Sequence, residues 1–136
     1  MMSATMPQYP VNQRGRCYDP DVTDDQRTYS LLMHLGIIGF SVIGPLSVLI
    51  PIIMWQIKKG DSPFIDDHGR EAVNFQISIL IYSVIGVVVS IVTFGLGAIL
   101  VVPGLTVFAI VGMVLAMVAS NRGEYFRYPM TLRFIT

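Results

Sequence analysis

Charge is what this sequence has least of, and its distribution is as informative as its amount. Only 13% of the 136 residues are charged, about half of the roughly 25% that is typical of soluble domains. The charged residues fall in three blocks, at 14–27, 58–71 and 122–133, and the stretches 28–57 and 72–121 contain none. A soluble fold must carry charge on the outer face of each element. The two uncharged stretches therefore predict an integral membrane protein.

Other scarcities exclude further classes. The single cysteine, Cys17, excludes an intrachain disulfide and a thiolate metal cluster. The formal net charge of zero gives no basic excess, so nucleic acid is not an expected partner. No apolar run occurs early enough for a signal peptide. Phosphate loops, nucleophile elbows and metalloprotease motifs are lacking, so we expect no enzymatic activity and no cofactor.

The helix signals predict an all-α membrane protein of four transmembrane helices. Thr23 to Gln26 has the form of a capping box, and Gly44-Pro45 interrupts the apolar stretch that follows. Residues 1–22, rich in proline and polar side chains, are expected to form a flexible arm. The membrane domain at 23–136 is expected to contain helices at about 24–43, 45–58, 66–92 and 98–120, arranged as two hairpins joined by a central loop.

An alternative has three spans with a kinked first helix. A helix over 45–58 would be only about 20 Å long, short for a crossing, and Pro51 would bend it. Charge placement favours four crossings, because all nine Lys and Arg residues then lie on one side. The positive-inside rule makes that side cytoplasmic. The expected location is the cell inner (plasma) membrane, multi-pass, with both termini in the cytoplasm.

Polar and small residues recur at every fourth position in the third helix, from Asn74 through Ser78 and Tyr82 to Ser90. The fourth helix has a similar stripe. Small residues at this spacing let transmembrane helices approach closely. The expected helix-packing residues are Ser78, Gly86, Ser90, Gly112 and Ala116.

His34 lies about ten residues into the first helix. A hydrogen bond to a neighbouring helix, through Asn74 or Gln76, is the favoured interpretation. The alternative is a water-filled path past these three residues in a small transporter or channel.

The central loop and the start of the third helix hold a second concentration of polar side chains. Ser62 is expected to cap a helix beginning near Pro63, with acids in the first turn, where the helix dipole favours them. Lys58, Lys59 and Arg70 are expected to face lipid phosphates or to pair with those acids. A less favoured alternative gathers Asp66, Asp67, His68 and Glu71 around a metal. The aromatic and basic C-terminal block, including Tyr125 and Tyr128, is expected to anchor the chain in the headgroup layer.

The same stretch resembles the signature of a family of small bacterial membrane proteins of unknown function, which is itself similar to a membrane component of the chloroplast Tic protein-import translocon. The signature continues in the tail from Gly123 to Phe134. The resemblance implies a four-helix membrane protein and suggests translocation by analogy; it defines no catalytic residue. Its residues of unknown role are Lys58, Lys59, Ser62, Pro63, Phe64, Asp66, His68, Gly69, Arg70, Glu71, Asn74 and Gln76.

The sequence therefore predicts a non-enzymatic component of a membrane complex or of a translocation-associated assembly. The alternatives are a small transporter or channel and, less favoured, a metal-dependent membrane enzyme. The expected partners are the lipid bilayer and other membrane proteins or further copies of the chain. No nucleic acid, small-molecule ligand, cofactor or metal is expected.

Overall fold

The computed structural model describes residues 9–136, and in them the regular structure is helical. Two isolated β-bridges occur, but no strand is present in this part of the chain. The helices are α1 (Asp24–Leu35), a 3-10 stretch (Gly36–Gly39), α2 (Phe40–Ile43), a second 3-10 stretch (Gly44–Val48), α3 (Leu49–Lys58), α4 (Pro63–Val92) and α5 (Leu96–Asn121).

Three helical segments are long and apolar enough to cross a membrane, namely Asp24–Lys58, Pro63–Val92 and Leu96–Asn121. By length and apolarity alone, this number of segments agrees with the three-span alternative. The predicted arrangement of four crossing helices in two hairpins is not supported. The break in the first segment is wider than a turn at Gly44-Pro45, since 3-10 geometry begins already at Gly36. It leaves α1 with 12 residues and α3 with 10, or about 18 Å and 15 Å, against a bilayer core of about 30 Å.

The first segment folds back on itself. The Tyr29 hydroxyl donates to the Met54 carbonyl at 2.7 Å, and a Cβ at Gly36 would lie 3.0 Å from Pro51 Cδ. The chain reverses at Gly44, whose φ of +60° suits a residue without a side chain. Consequently α1 and α3 run in opposite directions and contact each other.

Both ends of this segment lie at one end of the bundle. Val22, just before α1, packs against Gly123, just after α5. At the close of α3, Trp55 packs against Gly69 in the second turn of α4. We call this end, where α1 and α4 begin and α3 and α5 finish, the polar end.

The ends of α4 and α5 follow local signals. The Ser62 hydroxyl accepts from the Phe64 amide at 3.1 Å, and Pro63 occupies the first helical position, as predicted. Thr23 likewise forms the predicted capping box with Gln26. Between α4 and α5 the chain turns at Phe94 and Gly95, both with positive φ.

The core lies in the half of the bundle nearer the polar end. Phe75 of α4 stacks on Tyr128 of the tail, with ring centroids 3.8 Å apart, and Met113 and Ala116 of α5 pack around them. The other half, which we call the far half, exposes large apolar side chains. It also contains an apolar cavity of about 1010 Å³ between the tip of the first segment, α4 and α5. The exposed apolar residues of the far half include Val84, Ile85, Val87, Val88, Ile91, Val92, Phe94, Leu96, Ile99 and Leu100.

The N-terminal arm contacts the residues that follow α5. Tyr18 forms an isolated bridge with Glu124, and Val11 forms one with Cys17. The Asn12 side chain donates to the Glu124 carboxylate at 2.8 Å. The expected flexible arm spans 1–22; residues 9–22 make these contacts, and 1–8 lie outside the described residues.

Candidate functional site

A chain of hydrogen bonds joins four elements at the polar end. His34 Nε2 of α1 lies 2.9 Å from His68 Nδ1 of α4. The Tyr128 hydroxyl of the tail lies 2.8 Å from His34 Nδ1, and Ser120 Oγ of α5 lies 3.2 Å from His68 Nδ1. His68 Nε2 is 3.0 Å from the main-chain oxygen of Glu124. We call His34, His68, Ser120 and Tyr128 the histidine network.

The carbonyl at Glu124 sets the direction of every bond in this network. A carbonyl oxygen only accepts, so His68 Nε2 must carry a hydrogen, and in a neutral ring His68 Nδ1 must then accept. His34 Nε2–H therefore donates to His68, and the Tyr128 O–H donates to His34 Nδ1. Both rings are assigned as neutral Nε2–H tautomers by this pattern.

The network is enclosed by aromatic rings. His34 is 2% exposed and His68 is fully buried. The Phe64 ring lies 4.4 Å from the His68 ring, and the Tyr125 ring lies 6.4 Å from His68 and 5.5 Å from Phe64. The predicted partners of His34 were Asn74 and Gln76; this is wrong, because α1 meets α4 one to two turns earlier, at His68.

Glu71 forms a second centre beside this network. Its carboxylate accepts from Arg133 Nε at 2.8 Å and from the Tyr128 main-chain amide at 3.2 Å. Burial, and after it the charge of Glu71, raise the pKa of the Tyr128 hydroxyl well above its usual value. Tyr128 therefore stays protonated and able to donate. It is also 2% exposed, so the prediction that it anchors the chain in the headgroup layer is wrong.

The other two acids of α4, Asp66 and Asp67, are also paired. Arg127 donates two hydrogen bonds of 2.6 Å to the two oxygens of Asp67. Burial alone would lower the pKa of Arg127, but these bonds and the carboxylate charge raise it above its usual value. Asp66 accepts from the Trp55 indole at 2.7 Å and pairs with Arg70 at 2.8 Å.

These pairings bear on the alternative of a metal site. Asp66 pairs with Arg70, His68 belongs to the histidine network, and Asp67 and Glu71 bind arginines of the tail, so the four side chains do not converge on a common centre. No group of three or more His, Cys, Asp or Glu residues that could hold a metal ion occurs within residues 9–136.

Three side chains of α4 hold the C-terminal tail, and we call Asn74, Ser78 and Tyr82 the tail clamp. The Asn74 amide donates to the carbonyl of residue 135 at 2.8 Å and accepts from the amides of residues 134 and 135. Ser78 bonds the main chain of residue 132, and Tyr82 donates to the carbonyl of residue 130. The tail thus reaches the middle of α4 and returns. Non-helical backbone at this depth is tolerated because the clamp satisfies its polar groups.

Gln76 points to the first segment instead. Neither polar atom of its amide has a hydrogen-bond partner among the described residues. The amide faces a cavity of about 10 Å³ that Ser47 also lines, close to the smallest volume that holds one water molecule. A Cβ at Gly36 would come within 3.1 Å of it.

The other signature residues lie around these centres. Lys58 pairs with Asp61 at 3.4 Å, and the Lys59 ammonium lies over the Trp55 ring at 5.1 Å. Gly69 leaves room for Trp55, because a Cβ there would lie 2.3 Å from Trp55 Cδ1.

The expected packing residues have several kinds of contact. A Cβ at Gly86 would lie 2.4 Å from Val101 of α5, and one at Gly112 would lie 2.8 Å from Phe75. Ala116 is fully buried in the core. Ser90 turns its hydroxyl to the Gly86 carbonyl of its own helix, whereas Ser78 binds the tail.

Sequence reasoning missed Ser120, Glu124 and Tyr128 as partners of the histidines. Their local pattern, aromatic and basic residues just after a span, is also typical of headgroup anchors. One signal was present: Tyr128 and Glu124 lie in the tail portion of the family signature.

A comparison with protein families matches residues 25–135 to a family described as magnetosome magnetite crystal formation proteins. No curated protein and no solved structure matches the chain. The resemblance to the chloroplast import component is not among these findings.

Proposed function

The chain belongs to the magnetosome magnetite crystal formation protein family, and from that premise we propose that it is a non-enzymatic, multi-pass component of the membrane in which magnetite crystals form. The observation that carries the proposal is the extent of the match. It covers residues 25–135. This range includes all the helices except the first residue of α1, the whole histidine network and the whole tail clamp.

The pairing of the buried charges supports a structural role for this site over a catalytic one. Glu71, Asp67 and Glu124 are nearly buried, and each lies within 4 Å of at least one arginine. Charges used in this way fix the position of the tail and the arm. They are not arranged around a vacant reactive centre.

The far half supports association within the bilayer. Its valines and leucines face outward along both α4 and α5, and lipid or another transmembrane helix is the partner that such surfaces fit. The partners proposed are therefore bilayer lipids together with other membrane proteins or further copies of this chain. A role in translocation rests on the sequence resemblance alone.

The proposed topology places both termini on one side of the membrane. The arm and the tail contact each other through Tyr18 and Glu124, and the first segment begins and ends at the polar end. In this arrangement α4 and α5 cross the bilayer and the first segment enters and leaves from the same side. The predicted cytoplasmic side for both termini is retained as part of the proposal.

Thiol labelling in sealed vesicles tests the topology. Cys17 is the only native cysteine, so it reports the arm directly, and Gly60→Cys and Leu96→Cys in a Cys17→Ser background report the two loops. No atom lies within 4 Å of a Cβ at Gly60, and Leu96 is exposed. We expect Cys17 and position 60 to be labelled from one side and position 96 from the other. Labelling of position 60 from the side opposite Cys17 would show that the first segment crosses once.

Gene replacement in a magnetite-forming bacterium tests the function. Deletion of the gene is expected to change the number or size of the crystals seen by electron microscopy, and the intact gene is expected to restore them. Val88→Ala, on the exposed far half, serves as the control for expression. Crystals unaltered by deletion, with the protein absent from purified magnetosome membranes, would contradict the proposal.

A further inference from the structure

Both histidines of the chain lie in one buried network. That network is also where the first segment, α4, α5 and the tail come together, through His34, His68, Ser120 and Tyr128. We propose that the histidine network is an acid-sensitive latch, which holds residues 122–128 and α1 on α4 while both rings are neutral and loosens them when a ring takes up a proton. This inference does not depend on the role in crystal formation.

The directions of the hydrogen bonds explain why a proton opens the latch. His68 Nδ1 accepts from His34 and faces Ser120, and His34 Nδ1 accepts from Tyr128. A proton added to His68 Nδ1 would point at the N–H of His34. A proton added to His34 Nδ1 would point at the hydroxyl hydrogen of Tyr128. Either addition turns an accepting atom into a second donor, so one bond between elements is lost unless the neighbouring group reverses.

No group that the structure describes around the network is free to neutralise the positive charge of a protonated histidine. Among the described residues, every carboxylate near the network already has a basic partner, and burying a further unpaired charge is costly. Ser120 of α5 supplies only a hydroxyl. The titratable and charged groups around the network are Asp67 and Glu71 from α4 and Glu124, Tyr125 and Arg127 from the segment after α5. Arg133 pairs with Glu71, and Arg14 and Arg16 of the arm pair with the Glu124 carboxylate.

Opening affects more than one contact because the bonds are in series. Tyr128 joins the tail to α1, the His34–His68 bond joins α1 to α4, and His68 joins α4 to the carbonyl of Glu124. Loss of the central bond leaves the tail attached through the tail clamp and Glu71. The expected movement is therefore a loosening of the residues from 122 to 128 and of α1.

Hydrogen exchange of the purified full chain in lipid nanodiscs tests the latch. Protection of residues 122–128 and of α1, corrected for the intrinsic exchange rate, is expected to fall as pH drops from about 7.5 to about 5, the range in which histidine titrates. Below the pKa of histidine in the loosened state, protection should fall about tenfold per pH unit for one proton taken up. In the His34→Gln, His68→Gln double variant, protection should not change across this range, whatever its level at neutral pH. Ser90→Ala, remote from the network, should keep the full pH dependence.

Either of two results would overturn the latch: wild-type protection that is constant over this range, or a double variant that keeps the wild-type pH dependence. A measurement on the unmutated chain guards against a variant that does not fold. Nitrogen chemical shifts of histidine-labelled protein should show two neutral Nε2–H rings at pH 7.5. A charged ring, or an Nδ1–H tautomer, at that pH would also refute the proposal.

Discussion

The two halves of α4 carry the same four-residue spacing but use it differently. In the half near the polar end, Asn74, Ser78 and Tyr82 bind the main chain of the tail. In the far half, Gly86 leaves room for the Val101 side chain of α5, and the Ser90 hydroxyl bonds only to its own helix. Periodicity therefore decides which residues share a face, whereas the partner of that face depends on chain that is distant in sequence.

The largest expected effect comes from the buried charge at the polar end. Glu71→Ala removes two hydrogen bonds to a buried carboxylate, from Arg133 and from the Tyr128 amide, and each is worth about 1.5–3 kcal/mol. Thermal unfolding in detergent micelles measures the loss. The matched control is Asp61→Ala, whose exposed pair with Lys58 is expected to contribute less than about 1 kcal/mol. Equal losses from both variants would contradict the distinction between buried and exposed pairs.

The second largest effect on stability is expected at the contact between α3 and α4. Gly69→Ala places a Cβ 2.3 Å from Trp55 Cδ1, and such overpacking costs about 1–3 kcal/mol. The control is Gly104→Ala in α5, where no atom lies within 4 Å of the new Cβ. There alanine should stabilise the helix by about 0.5–1 kcal/mol. The same unfolding measurement should give opposite signs for the two variants.

A third test compares the polar residues in the two halves of α4, Asn74 near the polar end and Ser90 in the far half. Asn74→Leu removes three hydrogen bonds to the tail and leaves its main-chain groups unsatisfied, at about 1–3 kcal/mol for each group that stays buried. Trypsin should then cleave after Arg133 faster than in the unmutated chain. Ser90→Ala should leave the cleavage rate unchanged, because its hydroxyl contacts only its own helix. Unchanged cleavage in Asn74→Leu would show that the tail is held elsewhere.

The smallest effect is expected in alkali. The pKa of Tyr128 is raised on folding by burial and by Glu71, so the folded state retains a proton that the unfolded state loses above about pH 10. Stability from this group is full below that pH and is lost above it, at about 1.4 kcal/mol per pH unit. Unfolding followed from pH 9 to pH 11 should show a steeper decline in the unmutated chain than in Tyr128→Phe.

Local features of the fold were predictable, and contacts between distant residues were not. Thr23 and Ser62-Pro63 start their helices through bonds to residues two or three positions away, so the sequence contains the whole signal. The break in the first segment was misjudged because it depends on Gly36 and Gly39 packing against residues 47–51. Likewise, no spacing rule joins His34 to His68 or Asn74 to residue 135, since these pairs form only after the helices and the tail have packed.

The position of the tail also constrains how the protein is made. Asn74, Ser78 and Tyr82 are synthesised before α5, and the residues that satisfy them follow α5. Since chains emerge from the ribosome in order, α4 must enter the bilayer with these polar groups still lacking their final partners. Insertion of α4 and completion of the fold are thus separate events, and a ribosome stalled within α5 would leave a helix hairpin that is threaded through the membrane but not yet closed.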